Sequence, residues 1–195
     1  MIKINELFKS IQGEGPYTGH PAIFIRLAGC NLDCIFCDTD FEYRRQASVE
    51  AIVEEVKQLS GGKVKLVVIT GGEPFLQDLR DLIYFLAKDF IVQIETNGTR
   101  TPDYFASYWG MVDIVVSPKT VPVDDIMRQR AAGVKFVVKE GMKPCTSLYT
   151  CPIYVQPMDE KDLVKNKANR DWAVKLCLEH GYRLSLQIHK ILDIQ

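Results

Sequence analysis

Short β-branched runs alternate with apolar residues at helical spacing along this chain. Ala22-Ile23-Phe24-Ile25-Arg26-Leu27 reads as a strand, Leu66-Val67-Val68-Ile69 as a buried strand, and Phe90 to Ile94 as a third. Asp113 to Val116, Val134 to Val138, Ile153 to Val155 and Arg183 to Leu186 continue the series. Val49, Ile52, Val53, Val56 and Leu59 follow the N-cap candidate Ser48 at helical spacing, and Gly61-Gly62 ends that run. Leu76, Leu79, Leu82, Ile83 and Leu86 mark a second helix, Asp124 to Ala132 a third, and Asn169 to His180, closed by Gly181, a fourth. Such alternation predicts an α/β fold with a mostly parallel sheet. Roughly six strand–helix units fit, short of the eight of a full barrel. The expectation is one domain over residues 1–195, a partial, open (β/α) barrel of about six parallel strands with trimmed helices.

Polar and glycine-rich clusters follow one strand after another. They are Gly29-Cys30, Thr70-Gly71-Gly72-Glu73-Pro74, Glu95-Thr96-Asn97-Gly98, Ser117-Pro118-Lys119 and Gln156-Pro157-Met158-Asp159. Parallel α/β sheets build their sites at that edge. One such cluster would be an ordinary polar loop, whereas five in series favour a site.

Composition narrows the function. The 195 residues are 47% apolar and 25% charged, enough for a sizeable core. Lys and Arg number 24 against 25 Asp and Glu, so the chain lacks the basic field of a nucleic-acid binder. The apolar stretch Leu82 to Ile94 is interrupted by Lys88 and Asp89 and is too short to span a bilayer. The N-terminal residues carry no signal-peptide pattern, which favours a cytoplasmic protein. In that compartment clustered cysteines point to metal or catalysis rather than to disulfides. Of six cysteines, Cys30, Cys34 and Cys37 fall within eight residues, while Cys145, Cys151 and Cys177 read as packing residues.

The C-x3-C-x2-C run can hold three corners of a cubane iron–sulfur cluster and leave one iron open to a ligand. Its alternative is structural zinc, completed by His20 or another ligand. Gly71-Gly72 after a strand admits close backbone approach, and Glu73 can accept from an ammonium. Glu95 to Gly98 is a ligand-binding strand end or a plain Asn-Gly turn. Arg26, a lone charge in an apolar strand, is a barrel-lining salt bridge or a fork for a substrate carboxylate. Asp38, Thr39 and Asp40 offer hard oxygens for Mg²⁺, or cap the loop. His189 is a substrate contact, a general base or a satisfied structural residue.

With Phe36 before its last cysteine, the triad resembles the radical S-adenosylmethionine (radical SAM) superfamily. The combination of Ile11-Gln12-Gly13-Glu14-Gly15, Arg26, Cys37-Asp38-Thr39, Thr70-Gly71-Gly72-Glu73, Ser117-Pro118-Lys119, Gln156-Pro157-Met158 and Leu186-Gln187-Ile188-His189-Lys190 is similar to its 7-carboxy-7-deazaguanine synthase family. The resemblance covers almost the whole chain and implies a radical SAM barrel. It implies a 4Fe-4S cluster on Cys30, Cys34 and Cys37. S-Adenosyl-L-methionine, regenerated in each cycle, would be lined by Phe36, Gly72, Glu73, Ser117, Pro118 and Lys119, and by Gln156, Pro157, Met158 and Asp159. Ile11, Gln12, Gly13, Arg26, Thr70 and the last residue, Gln195, would hold 6-carboxy-5,6,7,8-tetrahydropterin, with Thr39 on Mg²⁺. The implied reaction is radical-mediated ring contraction to 7-carboxy-7-deazaguanine and ammonia, for queuosine or another 7-deazapurine. A homodimer and a flavodoxin-like reductant are further implications. Family members often end in Gly-Ile-Pro, whereas this sequence closes with Asp193-Ile194-Gln195. Two alternatives stand beside this expectation: a glycyl-radical activating enzyme of the same superfamily, and a non-catalytic iron–sulfur or zinc protein.

Overall fold

The computed structural model describes residues 1–35, 37, 39–119 and 122–195. Among these residues nine strands form a single sheet: β1 Ile2–Ile11, β2 Pro21–Leu27, β3 Arg45–Ala47, β4 Leu66–Gly71, β5 Ile91–Thr96, β6 Asp113–Val116, β7 Gly133–Val138, β8 Ile153–Pro157 and β9 Arg183–Leu184. Their order is β3-β1-β2-β4-β5-β6-β7-β8-β9. From β2 onward every neighbouring pair is parallel, giving six parallel strands and a two-residue seventh. β1 pairs antiparallel with β2, and β3 with β1, at one open edge.

Among the described residues five helices accompany the sheet: α1 Val49–Ser60, α2 Arg80–Leu86, α3 Asp125–Arg130, α4 Leu163–His180 and α5 Ile188–Leu192. Ser48 caps α1 by accepting from the Ala51 N–H, and left-handed Gly61 closes it, as the spacing predicts. Leu76 lies in a 3₁₀ turn before α2 rather than in the helix. β5 and β6 are joined through a 3₁₀ turn, Phe105–Tyr108, and among the described residues no helix lies between β7 and β8, so the barrel is trimmed and open. None of the described helices is long and apolar enough to cross a membrane.

The period-two alternation of the strands sorts residues between two faces. Ile23, Ile25 and Leu27 of β2 and Val67 and Ile69 of β4 bury against Ile52 and Val56 of α1 and Leu82, Ile83 and Leu86 of α2. Each such side chain contributes about 1.5–3 kcal/mol by leaving water. Their sequence neighbours, Arg26 and Thr70, necessarily face the other way, where Glu95, Val115, Lys135 and Gln156 join them.

Candidate active site

That opposite face lines a cavity of about 460 Å³, within the usual range for small-molecule sites. Arg26 pairs in register with Thr70, Glu95 with Val115, and Val137 with Gln156, so the parallel ladder sets cavity residues side by side.

Cys30, Cys34 and Cys37 open onto this cavity from one loop after β2, and none is in a disulfide. The Gly29 N–H donates to the Phe41 carbonyl at 2.9 Å and closes the loop at its base, and the Cys37 N–H donates to the Cys34 carbonyl at 2.9 Å. Asn31 ties the loop sideways: its Oδ1 accepts from Asn97 Nδ2 at 3.0 Å, and its Nδ2 donates to Thr99 Oγ1 at 2.9 Å. Burial pushes the Cys34 thiol up, and the neighbouring Cys37 and Cys30 add to this against Lys119. Three unlinked thiols on one braced loop, facing a cavity, are the donor set that a cubane cluster takes, although among the described residues no three such side chains are gathered closely enough to hold a single metal ion. Phe36 and Asp38 lie outside the described residues.

Gly71, which ends β4, and Gly72 after it both line the cavity, and close chain packing also requires them to be glycine. A Cβ on Gly72 would stand 1.9 Å from the Gly29 carbonyl oxygen and 2.9 Å from the Cys30 Cβ. On Gly71, whose φ is +125°, it would stand 2.2 Å from the Leu27 oxygen. Glu73 is wholly buried and does not line the cavity. Its Oε1 accepts from the Phe75 N–H at 3.0 Å and Thr96 Oγ1 at 2.7 Å, and its Oε2 from the Asn97 N–H at 2.8 Å. Burial raises its pKa against those three hydrogen bonds. The carboxylate expected to meet a ligand ammonium instead fastens β4 to the end of β5.

Deeper in the cavity, Glu14 and Lys135 form an ion pair, both largely buried. Glu14 Oε1 also accepts from Gln187 Nε2 at 2.9 Å and Gln156 Nε2 at 3.2 Å. Burial alone would raise the Glu14 pKa; the Lys135 charge and hydrogen bonds from Lys135 and Gln187 outweigh it and hold the carboxyl below its ordinary value. Lys119 Nζ donates to Ser117 Oγ at 3.0 Å. Burial, then the Lys135 charge, lowers the Lys119 pKa, opposed by Cys34, Glu14 and Cys37.

Gln12 and Thr70 both converge on Glu95. Gln12 Nε2 donates to Glu95 Oε1 at 3.0 Å, and Thr70 Oγ1 to Glu95 Oε2 at 3.2 Å. Gln93 Nε2 adds a third donor at 2.9 Å. Arg26 faces the cavity across the Phe8 ring, its guanidinium 5.5 Å from the ring centroid and its Nε 3.1 Å from Glu6 Oε1. Gln195 reaches the same rim. Gly13 is not on the lining; a Cβ there would meet His189 Nδ1 at 2.4 Å, so this glycine seats α5 and His189, which does line the cavity. Thr39 faces the cavity, whereas Asp40 is occupied by the Glu42 N–H at 2.9 Å and Arg44 at 2.6 Å.

Of the remaining expected residues, Ile11, Gly72, Ser117 and Lys119 line the cavity. Gln156, Pro157, Met158 and Asp159 do so from the end of β8, and Pro118 does not. Asp159 Oδ1 accepts from the Lys161 N–H and Asn166 Nδ2, and its Oδ2 from Lys190 Nζ; these donors pull its pKa down to about 2. Glu6 and Lys135 carry no sequence motif, while Glu14 and Gln187 stand in motifs quoted for the resemblance but without a role of their own. The signal for Lys135 was present: like Arg26, it is a lone charge in an apolar strand. Glu6, Glu14 and Gln187 lie outside the parallel strands, and their sequence surroundings carry no such contrast. Cys145, expected to pack, is exposed.

An open parallel sheet whose C-terminal edge carries a three-cysteine loop beside a charged cavity defines a radical SAM protein. The model of the Radical SAM superfamily matches residues 24–165. Among curated proteins, the 7-carboxy-7-deazaguanine synthase of Rickettsia prowazekii is 43% identical, with 100% of this chain and 89% of that protein covered. That of Rhodospirillum rubrum is 35% identical over 98% of this chain and 92% of its own length. The crystal structure of QueE from Escherichia coli superposes with a TM-score of 0.73 at 29% identity, covering 95% of this chain and 93% of that one. SuiB of Streptococcus suis, at 14% identity and a TM-score of 0.55, shares the fold alone. The chain belongs to the 7-carboxy-7-deazaguanine synthase family of the radical SAM superfamily.

Proposed function

We propose that this chain converts 6-carboxy-5,6,7,8-tetrahydropterin to 7-carboxy-7-deazaguanine and ammonia, a step toward queuosine or a related 7-deazapurine. The observation that carries the reading is the sharing of one cavity by the three-cysteine loop and the Arg26 guanidinium. When bound, the 4Fe-4S cluster and S-adenosyl-L-methionine supply a 5′-deoxyadenosyl radical that removes a hydrogen atom from substrate.

The chain's own residues bind, orient and exclude water. Cys30, Cys34 and Cys37 would hold the cluster from the loop after β2. The cofactor side of the cavity is formed by Gly72, Ser117, Lys119 and Gln156 to Asp159. Lys119, a cation just beyond the end of β6 that lines the cavity, suits the cofactor carboxylate. Glu73 and Gly13 leave the contact set and become residues that position β5 and α5. On the substrate side, Arg26 takes the carboxylate, while Ile11, Thr70 and Gln195 complete the wall and Gln12 steadies Glu95. Thr39 would hold Mg²⁺, which would stabilise negative charge on the substrate carboxylate. Residues 1–195 act as one radical SAM domain, since one sheet runs from β1 to β9. A homodimer, a flavodoxin-like electron donor and a cytoplasmic setting complete the reading. They rest on the family resemblance, and the free thiols suit a reducing compartment.

The curated relatives favour this reading over a glycyl-radical activating enzyme. Anaerobic turnover tests it. Reconstituted protein with reductant, Mg²⁺, S-adenosyl-L-methionine and the tetrahydropterin should yield 7-carboxy-7-deazaguanine by mass spectrometry, with S-adenosyl-L-methionine not consumed. Release of 5′-deoxyadenosine without the deazaguanine would reject the substrate while keeping the radical chemistry.

A further inference from the structure

Arg26 brings five N–H donors to the cavity wall, and among the described residues none of them makes a hydrogen bond. Its Nε is buried, within ion-pair distance of Glu6 Oε1 at 3.1 Å but not aligned as a donor. Arg26 and Glu6 are register partners across the antiparallel β1–β2 pair, beside the irregularity at Ile4/Glu6. The second Glu6 oxygen, Oε2, accepts from Gln195 Nε2 at 2.6 Å. Ser10 Oγ donates to the Gln195 carbonyl oxygen, so the segment after α5 is held from two points of β1. Glu6, Arg26 and Gln195 all line the cavity.

We propose that Glu6 is a positioning residue for carboxylate recognition: it fixes the Arg26 guanidinium by its Nε edge and Gln195 by its side-chain amide, leaving the Nη edge for the substrate. A planar guanidinium has one Nε side and one Nη pair, and a carboxylate on the Nε side restricts rotation about the last bond of a long side chain. The Phe8 ring restricts the plane from below. The ligand carboxylate then meets an oriented fork rather than a mobile charge. This rests on the substrate reading above.

The test uses anaerobically reconstituted full-length chain with S-adenosyl-L-methionine present. Two fluorescent probes are titrated, 6-carboxypterin and unsubstituted pterin, and KM and kcat are measured for 6-carboxy-5,6,7,8-tetrahydropterin. Glu6→Ala should weaken 6-carboxypterin about tenfold, the scale of one hydrogen bond to a charged group, and leave pterin within about twofold. KM should rise with kcat nearly constant, iron content should match wild type, and Glu6→Gln should recover most of the loss. On an Arg26→Ala background, Glu6→Ala should add nothing. Tighter 6-carboxypterin binding in Glu6→Ala would show a neutralising carboxylate rather than a positioning one, and overturn the proposal. Equal weakening of both probes, or an additive loss on the Arg26→Ala background, would overturn it too. If wild-type protein turns over the tetrahydropterin and Glu6→Ala behaves identically, only the role of Glu6 falls. If wild type neither binds 6-carboxypterin nor makes the deazaguanine, the substrate reading falls and takes this proposal with it.

Discussion

The carboxylate of Glu73 accepts the backbone N–H of Asn97 at 2.8 Å, joining the turn after β4 to the end of β5. Asn97 in turn holds Asn31 in the cysteine loop, and the Glu73 N–H donates to the Gly29 carbonyl at 2.9 Å. The three-cysteine loop is therefore braced by the two neighbouring strand ends, and its geometry depends on a residue that never meets the cavity.

Glu73→Gln tests this bracing. An amide presents an N–H₂ to a site holding three donors, so at least one buried N–H loses its acceptor. The cost is about 1–3 kcal/mol. Denaturant titration should show that loss, and iron content after reconstitution should fall below wild type. Unchanged stability and full iron loading would contradict the bracing role.

Gly72→Ala separates chain packing from ligand approach. Its Cβ would be 1.9 Å from backbone at Gly29, so the cysteine loop must shift before any ligand arrives. Overpacking of this kind costs about 1–3 kcal/mol. Melting of the metal-free protein should reveal it. A variant that melts like wild type without cluster, and fails only in S-adenosyl-L-methionine binding, would return Gly72 to a pure ligand contact.

Lys135→Met leaves Glu14 buried without its counter-charge. Breaking such a pair from one side costs about 3–5 kcal/mol, whereas replacing both partners is often neutral. In wild type the lowered Glu14 pKa contributes stability above its unfolded value near 4.5, lost as pH falls. Without Lys135 the sign reverses: burial raises the pKa, and stability declines as pH rises through it. Melting temperatures across pH 4 to 8, about four units, should diverge progressively toward neutrality. Combining Lys135→Met with Glu14→Gln should recover much of the loss.

Asp159 gives an acid-side prediction. Its pKa is held at about 2 by the Lys161 N–H, then by Asn166 and Lys190, against an ordinary value of 3.8. Its stabilisation is complete above the unfolded value and disappears as pH falls toward 2. Calorimetry should show wild type more stable than Asp159→Asn near pH 5, with the two curves meeting near pH 2, about three units lower. The carboxylate is one-third exposed, so solvent screening keeps the difference small. A gap that persists at pH 2 would place the effect elsewhere than in ionisation.

Elements with strong periodicity were legible in the sequence. β4 and β6 begin where the apolar runs begin, and α1 has the cap and stop its ends encode. The β1 segment carries no clean strand alternation. Ile2 and Ile4 are buried as alternation requires, but the register shifts between Ile4 and Glu6, and Asn5 is buried too. A bulge of this kind exchanges the faces and erases the period. The first turns of α4 escape the helical pattern because Leu163 and Val164 point to solvent, although Asp162 caps them. α5 buries no residue, so nothing in its pattern distinguishes it from a loop.

The chemistry of the cluster site belongs to the sequence itself, since three cysteines within eight residues share one loop whatever the rest of the chain does. Side-chain period likewise assigns Arg26 to the face opposite Ile25 before any tertiary contact is known. The tertiary structure alone decided what the remaining charges meet. Glu14 reaches Lys135 across 121 positions, and Glu6 reaches Gln195 across 189. Only the tertiary fold brings such distant residues together, and for Glu14 and Lys135 burial then makes each charge depend on its partner.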